Sequence, residues 1–160
     1  MTTGAIEARV RRPKDKEELI QQMLADGDGP FTTMRDVLLF AAAFGWHRQR
    51  HEPLGDTGEP IRYEVFRRSA TAEAFIDSLG VISRPNDPSI LADDRLAERI
   101  IIFEEYANGG LAELQGEINA SRSTVTEVLA GLVRQAGRPG PAAGELPPEL
   151  EKFLGPADWS

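Results

Sequence analysis

The sequence contains no cysteine, few aromatic residues and no apolar run long enough to cross a bilayer. Without cysteine the chain cannot form a disulfide, a thiolate nucleophile or a thiolate metal site. The longest apolar run, Val37 to Phe44, has the length of a buried core helix and falls short of the about 20 residues of a membrane span. Met1 to Gly4 lacks the basic and apolar regions of a secretory signal. We therefore expect a cytoplasmic protein without a membrane segment.

Positive charge is scarce overall and unevenly distributed. The net charge is −8, which excludes a generally basic DNA-coating protein. Residues 1–84 carry 12 Lys and Arg against 13 Asp and Glu, whereas residues 85–160 carry 6 against 13. Five of the basic side chains fall within the first 16 residues, beside two acidic ones. This division predicts a front half that contacts a polyanion and a back half that contacts a protein.

The basic N-terminal segment alternates in the manner of a strand. Glu7, Arg9 and Arg11 would share one face, and Ile6, Ala8 and Val10 would share the other. Ribbon-helix-helix proteins present a two-stranded ribbon of this kind to a DNA groove. A lone strand leaves its backbone groups unpaired, so we expect a second copy to supply its partner in a homodimer or higher oligomer.

Helical spacing dominates the remainder, and the predicted fold is mainly α. A short N-terminal β-strand is followed by a helix pair, in a ribbon-helix-helix-like arrangement, and by a C-terminal helical bundle portion. One domain over residues 1–136 would precede a flexible Pro/Gly-rich tail over residues 137–160. The predicted helices span residues 16–25, 33–44, 71–79, 93–107, 111–118 and 124–136. Asp15 would cap the first helix, and Thr32 or Thr33 would cap the second. Gly45 would end the second helix, and Asn108-Gly109-Gly110 would end the fourth.

Two further segments have compositions suited to nucleic acid. Trp46 to His51 mixes aromatic and cationic side chains, a composition suited to stacking and phosphate contact, and a basic loop after a core helix fits it better than a metal site does. Leu111 to Leu129 resembles a helix-turn-helix with a left-handed turn at Asn119, or else two packed helices. The electrostatics disfavour DNA reading there, since Arg122 is the only cation on its presumed reading helix.

No catalytic or metal-binding pattern is convincing. The adjacent carboxylates Asp93-Asp94 and Glu104-Glu105 would diverge by about 100° on a helix. His47 and His51 stand four residues apart, but no third ligand accompanies them. We therefore predict no enzymatic activity, no catalytic residue, no metal site and no cofactor.

Three stretches together carry a family resemblance: Gly29 to Gly45, Glu59 to Phe66, and Ile102 to Leu111. In this order and spacing the chain resembles the DNA phosphorothioation-associated protein 4 family (Dnd system-associated protein 4), from about Arg9 to Ala136. The resemblance implies bacterial gene clusters that replace a non-bridging phosphate oxygen of DNA with sulfur, and the linked restriction of unmodified DNA. It also implies an accessory role and not sulfur transfer. The absence of cysteine fits that role, since cysteine desulfurase and iron–sulfur chemistry would both need cysteines. The Pro/Gly-rich tail departs from the family pattern.

The sequence thus predicts a non-enzymatic accessory protein of a phosphorothioation-dependent modification or restriction system, with DNA and other proteins of its gene cluster as partners. Replacing Arg9 and Arg11 together by alanine should then weaken DNA binding and leave thermal unfolding nearly unchanged. The alternatives are an adaptor that docks on a larger nuclease or ATPase without touching nucleic acid, or a transcription regulator of the same cluster. The predicted DNA contacts are Arg9, Arg11, Arg12, Lys14, Thr32, Thr33, Arg48 and Arg50.

Overall fold

A computed structural model describes residues 8–138, and helices dominate this part of the chain. Two short strands, β1 (Arg9–Val10) and β2 (Ile61–Arg62), form an antiparallel sheet. The α-helices are α1 (Glu17–Met23), α2 (Met34–His47), α3 (Glu64–Arg67), α4 (Ala70–Ser83), α5 (Leu96–Ala120) and α6 (Val125–Ala136). The mainly helical class with a short N-terminal strand is confirmed. Within residues 8–138 no helix is long and apolar enough to span a membrane.

The chain divides into two compact units, one ending at Val128 and the other beginning at Leu129. The predicted single domain over residues 1–136 stays a prediction. Positions 139–160 of the predicted tail lie outside the described residues. The part of the predicted N-terminal strand that precedes Ala8 also lies outside them.

Helix α2 is the apolar core helix expected from its sequence. Thr33 begins it, and its Oγ1 accepts a hydrogen bond from the backbone N–H of Asp36 at 3.2 Å. Val37 and Leu38 are almost completely buried. The predicted end at Gly45 is wrong, because α2 continues to His47.

Helix α5 runs without interruption through Asn108-Gly109-Gly110, so the predicted stop there is also wrong. The most extensive packing between elements joins α5 to α2. A β-carbon added at Gly110 would overlap the carbonyl oxygen of Ala41, and one at Gly45 would overlap that of Tyr106. These glycines therefore serve close approach of two backbones, where the sequence suggested helix termination.

The C-terminal end of α5 also decides the helix-turn-helix alternative. Asn119 lies inside α5, and the left-handed non-glycine residues of the described chain are Asp28 and Gln49. Helix α6 begins after Thr124, whose Oγ1 accepts from the N–H of Glu127 at 3.2 Å, while Thr124 N–H donates to Glu127 Oε2 at 3.0 Å. This is a capping box. The left-handed turn expected at Asn119 is absent.

The N-terminal cap predicted for α1 is not formed by Asp15. A short 3₁₀ turn over Lys14–Lys16 precedes the helix, and Lys16 occupies the N-cap position without a side-chain cap. The Asp15 carboxylate lies 2.9 Å from the Lys16 ammonium instead. Asp15 lies inside this 3₁₀ turn, one residue before the N-cap position of the α-helix, so its side chain does not cap the helix.

The two strands belong to an irregular antiparallel ribbon within one chain. Arg9 faces Arg62 and Val10 faces Ile61, and Tyr63 N–H donates to Ala8 O at 2.9 Å. Further along, Pro13 pairs with Thr57. Three residue steps on the first side therefore oppose four on the second, which is the signature of a β-bulge.

An oligomer was expected because a lone N-terminal strand would need a partner strand, and β2 of the same chain is that partner. The expected partner strand of a second copy is supplied by the same chain, so the ribbon of a ribbon-helix-helix dimer is not confirmed. A homodimer or higher oligomer stays a prediction without that support.

Aromatic side chains hold the ribbon on the core. Tyr63 directly follows β2 and is 2% exposed, and Phe66 and Phe103 are fully buried. The ring of Phe66 lies 6.3 Å from that of Tyr63 and 5.6 Å, edge to face, from that of Phe103 in α5. The ribbon is thus fixed on one side, which leaves its other face to solvent.

Candidate nucleic-acid interface

Two arginines face each other on the outer side of the ribbon. Arg9 and Arg62 are paired across β1 and β2, and both are exposed. Their neighbours Val10 and Ile61 form the inner side, where Val10 is fully buried. Within residues 8–138 neither guanidinium has a carboxylate in ion-pair range. Like charges placed directly opposite on a sheet repel each other, and no ion pair within residues 8–138 offsets this repulsion.

Arg11, predicted to share the face of Arg9, is half exposed, and its guanidinium contacts a buried carboxylate. Its Nη2 lies 2.9 Å from Glu104 Oε1, its Nε donates at 3.1 Å to the same oxygen, and its backbone N–H donates to Glu104 Oε2. The Glu104 side chain is 1% exposed and that of Arg11 48%. The hydrogen bond to Glu104, and then its charge, raise the pKa of Arg11 above its usual value. Arg11 therefore neutralises a buried carboxylate of α5.

Arg12 is also engaged inside the molecule. Its Nε donates to the carbonyl of Glu59 at 2.7 Å and its Nη1 lies 3.0 Å from Glu17 Oε1. The side chain is only 11% exposed. Arg12 thereby ties the bulged side of the ribbon to α1.

Lys14 is exposed and borders an open cleft of about 510 Å³. The same cleft is lined by Asp15, Glu52 and Asp56 as well as by Lys16. Lys14 makes no ion pair within the described chain. The three carboxylates around it cancel much of the positive potential that phosphate would need.

Thr33 caps α2 as predicted, whereas the arginines of the second basic segment contact carboxylates of their own chain. The Thr33 hydroxyl is occupied as the cap of α2, and Thr32 is exposed. Arg48 lies 3.2 Å from Glu117 and covers the ring of Phe44 at 4.9 Å. The Arg50 guanidinium contacts the carboxylates of Glu52 and Glu113.

Arg50 bridges its own loop to α5. Its Nη2 lies 2.7 Å from Glu52 Oε1 and its Nη1 2.8 Å from Glu113 Oε1. Hydrogen bonds to Glu113 and then Glu52 raise the pKa of Arg50 above its usual value. Since α2 ends at His47, His51 does not share a helix face with it. In the part of the chain described, no three His, Asp or Glu side chains cluster as metal ligands would.

The structure thus brings together only part of the predicted set. Arg9 stands outward on the ribbon, whereas Arg11, Arg12, Arg48 and Arg50 hold carboxylates of their own chain. Sequence reasoning missed Arg62, the residue opposite Arg9. The alternation of Ile61 to Phe66 was a signal for a strand there, but nothing local indicated that β1 was its partner.

Comparison with known proteins supplies one match. A family model described as DNA sulphur modification system-associated protein 4 matches residues 9–153. The match continues beyond Ala136 and covers most of the stretch expected to depart from the family pattern, so that expectation is corrected. No curated protein and no solved structure matches the chain.

Proposed function

The chain belongs to the DNA sulphur modification system-associated protein 4 family, and from this premise we propose that it is a non-enzymatic accessory protein that contacts DNA through its N-terminal ribbon. The observation that carries the proposal is the facing pair Arg9 and Arg62, exposed and without carboxylate partners in the described chain. Phosphate is the polyanion that a DNA-linked protein meets, and guanidinium groups bind it with charge-assisted hydrogen bonds.

The ion pairs of four other predicted contacts, Arg11, Arg12, Arg48 and Arg50, make those side chains less available to phosphate. A guanidinium that leaves a buried or bidentate carboxylate partner for phosphate must give up one strong contact to gain another. Arg11 would leave Glu104 charged and buried, which costs several kcal/mol. Arg9 and Arg62 have no such contact to give up among residues 8–138, so phosphate binding there breaks no described ion pair.

Fluorescence anisotropy with a labelled DNA duplex tests the proposal. We expect the full chain to bind duplex DNA and to lose affinity between about 50 and 200 mM salt, because counterions are released from phosphates. Arg9→Ala should weaken binding, whereas Arg48→Ala should leave it unchanged, since Arg48 already holds Glu117. No binding at the lower salt concentration would reject a DNA-contacting role.

A protein-docking role is the second candidate, and exposed apolar side chains favour it. Val81, Ile82 and Leu91 are 42%, 51% and 48% exposed, on α4 and in the 3₁₀ turn that follows it. Contiguous apolar patches on a surface are typical of interaction sites, and α4 packs against this turn. If this role holds, Ile82→Ser should abolish co-purification with another protein of the gene cluster. Arg9→Ala should then have no effect on that co-purification.

A further inference from the structure

We infer that Arg9 and Arg62 form a two-arginine clamp for the phosphate backbone of DNA, a clamp that contacts phosphates without reading base sequence and needs only one copy of the chain. This inference rests on the proposed function and specifies its site. Arg62 belongs to it by register alone, since it is the residue directly opposite Arg9.

The clamp is complete within one chain. In an antiparallel pair, facing residues have α-carbons about 4.5 to 5.5 Å apart, so both side chains leave the ribbon side by side. The inner residues Val10 and Ile61 anchor the ribbon, and the hydrogen bond from the backbone N–H of Tyr63 to the carbonyl oxygen of Ala8 fixes its register. Two guanidiniums are therefore pre-positioned on a seated support, and an anion between them relieves their mutual repulsion.

The outer face is too small to read bases. Regular pairing covers two residues on each strand, and each strand contributes one outward arginine. The next arginines along the chain already have carboxylate partners, because Arg11 pairs with Glu104 and Arg12 with Glu17. Proteins that read sequence with a ribbon insert several side chains from both strands into a groove.

The charges flanking the ribbon also keep the contact shallow. Glu59 and Glu64 lie on either side of β2, both exposed and without an ion pair in the described chain. Carboxylates carried into a groove would approach the phosphates on both of its walls. Only the tips of two long side chains then meet the DNA, and phosphate contacts of this kind position a protein without carrying sequence information.

The test compares two duplexes of equal length, one rich in A·T and one rich in G·C, across a series of salt concentrations. The proteins are the parent chain, Arg9→Ala, Arg62→Ala and the double variant. Each arginine removed should reduce the slope of log affinity against log salt by about one, to the same extent on both duplexes. Arg122→Ala removes another exposed arginine, in the loop before α6 and without an ion pair in the part of the chain described, and should change neither slope nor affinity.

Thermal unfolding separates lost binding from lost structure. Since Arg9 and Arg62 repel each other, each single variant should unfold at or slightly above the temperature of the parent. A double variant that binds as the parent does would overturn the clamp and leave a DNA-contacting role standing. A loss tenfold larger on one duplex than on the other would show base reading and overturn the backbone assignment. Failure of the parent to bind either duplex would reject the proposed function itself.

Discussion

Arg11→Ala is the substitution that best separates fold from function in this protein. It removes the guanidinium that neutralises Glu104, whose side chain is 1% exposed. Glu104 keeps one donor, the backbone N–H of residue 11, but loses the hydrogen bonds from Nε and Nη2. A charged carboxylate is then left inside the protein without a counter-charge.

The cost follows from the burial of the two partners. Breaking a fully buried ion pair by removing one partner costs about 3–5 kcal/mol. Arg11 is 48% exposed, so water already screens its side of the pair. We therefore expect a loss of about 2–3 kcal/mol in the free energy of unfolding, and a fall in melting temperature of about 4–12 °C.

Urea and thermal unfolding, followed by circular dichroism, measure this loss, and two further variants control it. Arg9→Ala removes an exposed arginine two residues away, one without an ion pair among residues 8–138, and should change stability by no more than about 0.5 kcal/mol. Glu104→Gln removes the buried charge, so the double variant with Arg11→Ala should be more stable than the sum of the single losses predicts. An Arg11→Ala protein that unfolds with the parent would refute the reasoning.

This prediction replaces the expectation from sequence that removing Arg9 and Arg11 together leaves unfolding nearly unchanged. Weaker DNA binding by that double variant would carry little information, because a destabilised protein also binds less. Arg9 with Arg62 is the informative pair.

Two further predictions concern the core. Gly110→Ala should destabilise the protein by about 1–3 kcal/mol, because its β-carbon would overlap the carbonyl oxygen of Ala41. The same change at Gly116, on the same helix and with open space around it, should stabilise by about 0.5–1 kcal/mol. Burial, with the nearby Asp77 and Glu73, raises the pKa of Tyr63 to about 12 from its ordinary 10.0. The folded state thus holds this proton more tightly, so the contribution of Tyr63 is complete below pH 10 and is lost between pH 10 and about 12.

Denaturant titrations check both. Equal effects of alanine at Gly110 and Gly116 would contradict the close approach of α2 and α5. For Tyr63, the difference in unfolding free energy between the parent and Tyr63→Phe should shrink by about 2–3 kcal/mol across that pH window. A difference independent of pH would show that the hydroxyl is solvated in the folded state.

Local sequence signals determined several features of this protein on their own. The apolar run of α2 and its Thr33 cap follow from propensity and hydrogen bonding within a few residues. The outward Arg9 and inward Val10 follow from strand alternation. The family was indicated by three stretches, and the match over residues 9–153 confirms it.

Contacts between distant parts of the chain decided the rest. Gly109-Gly110 has the composition of a helix end, yet α5 continues through it. A β-carbon at Gly110 would overlap the carbonyl oxygen of Ala41, and one at Gly109 would overlap that of Arg50. Arg9 and Arg11 are equivalent in local sequence. They differ because Glu104, 93 positions from Arg11, forms an ion pair with Arg11 and not with Arg9. Periodicity reports which faces an element has, whereas the partner that covers each face is set by tertiary packing.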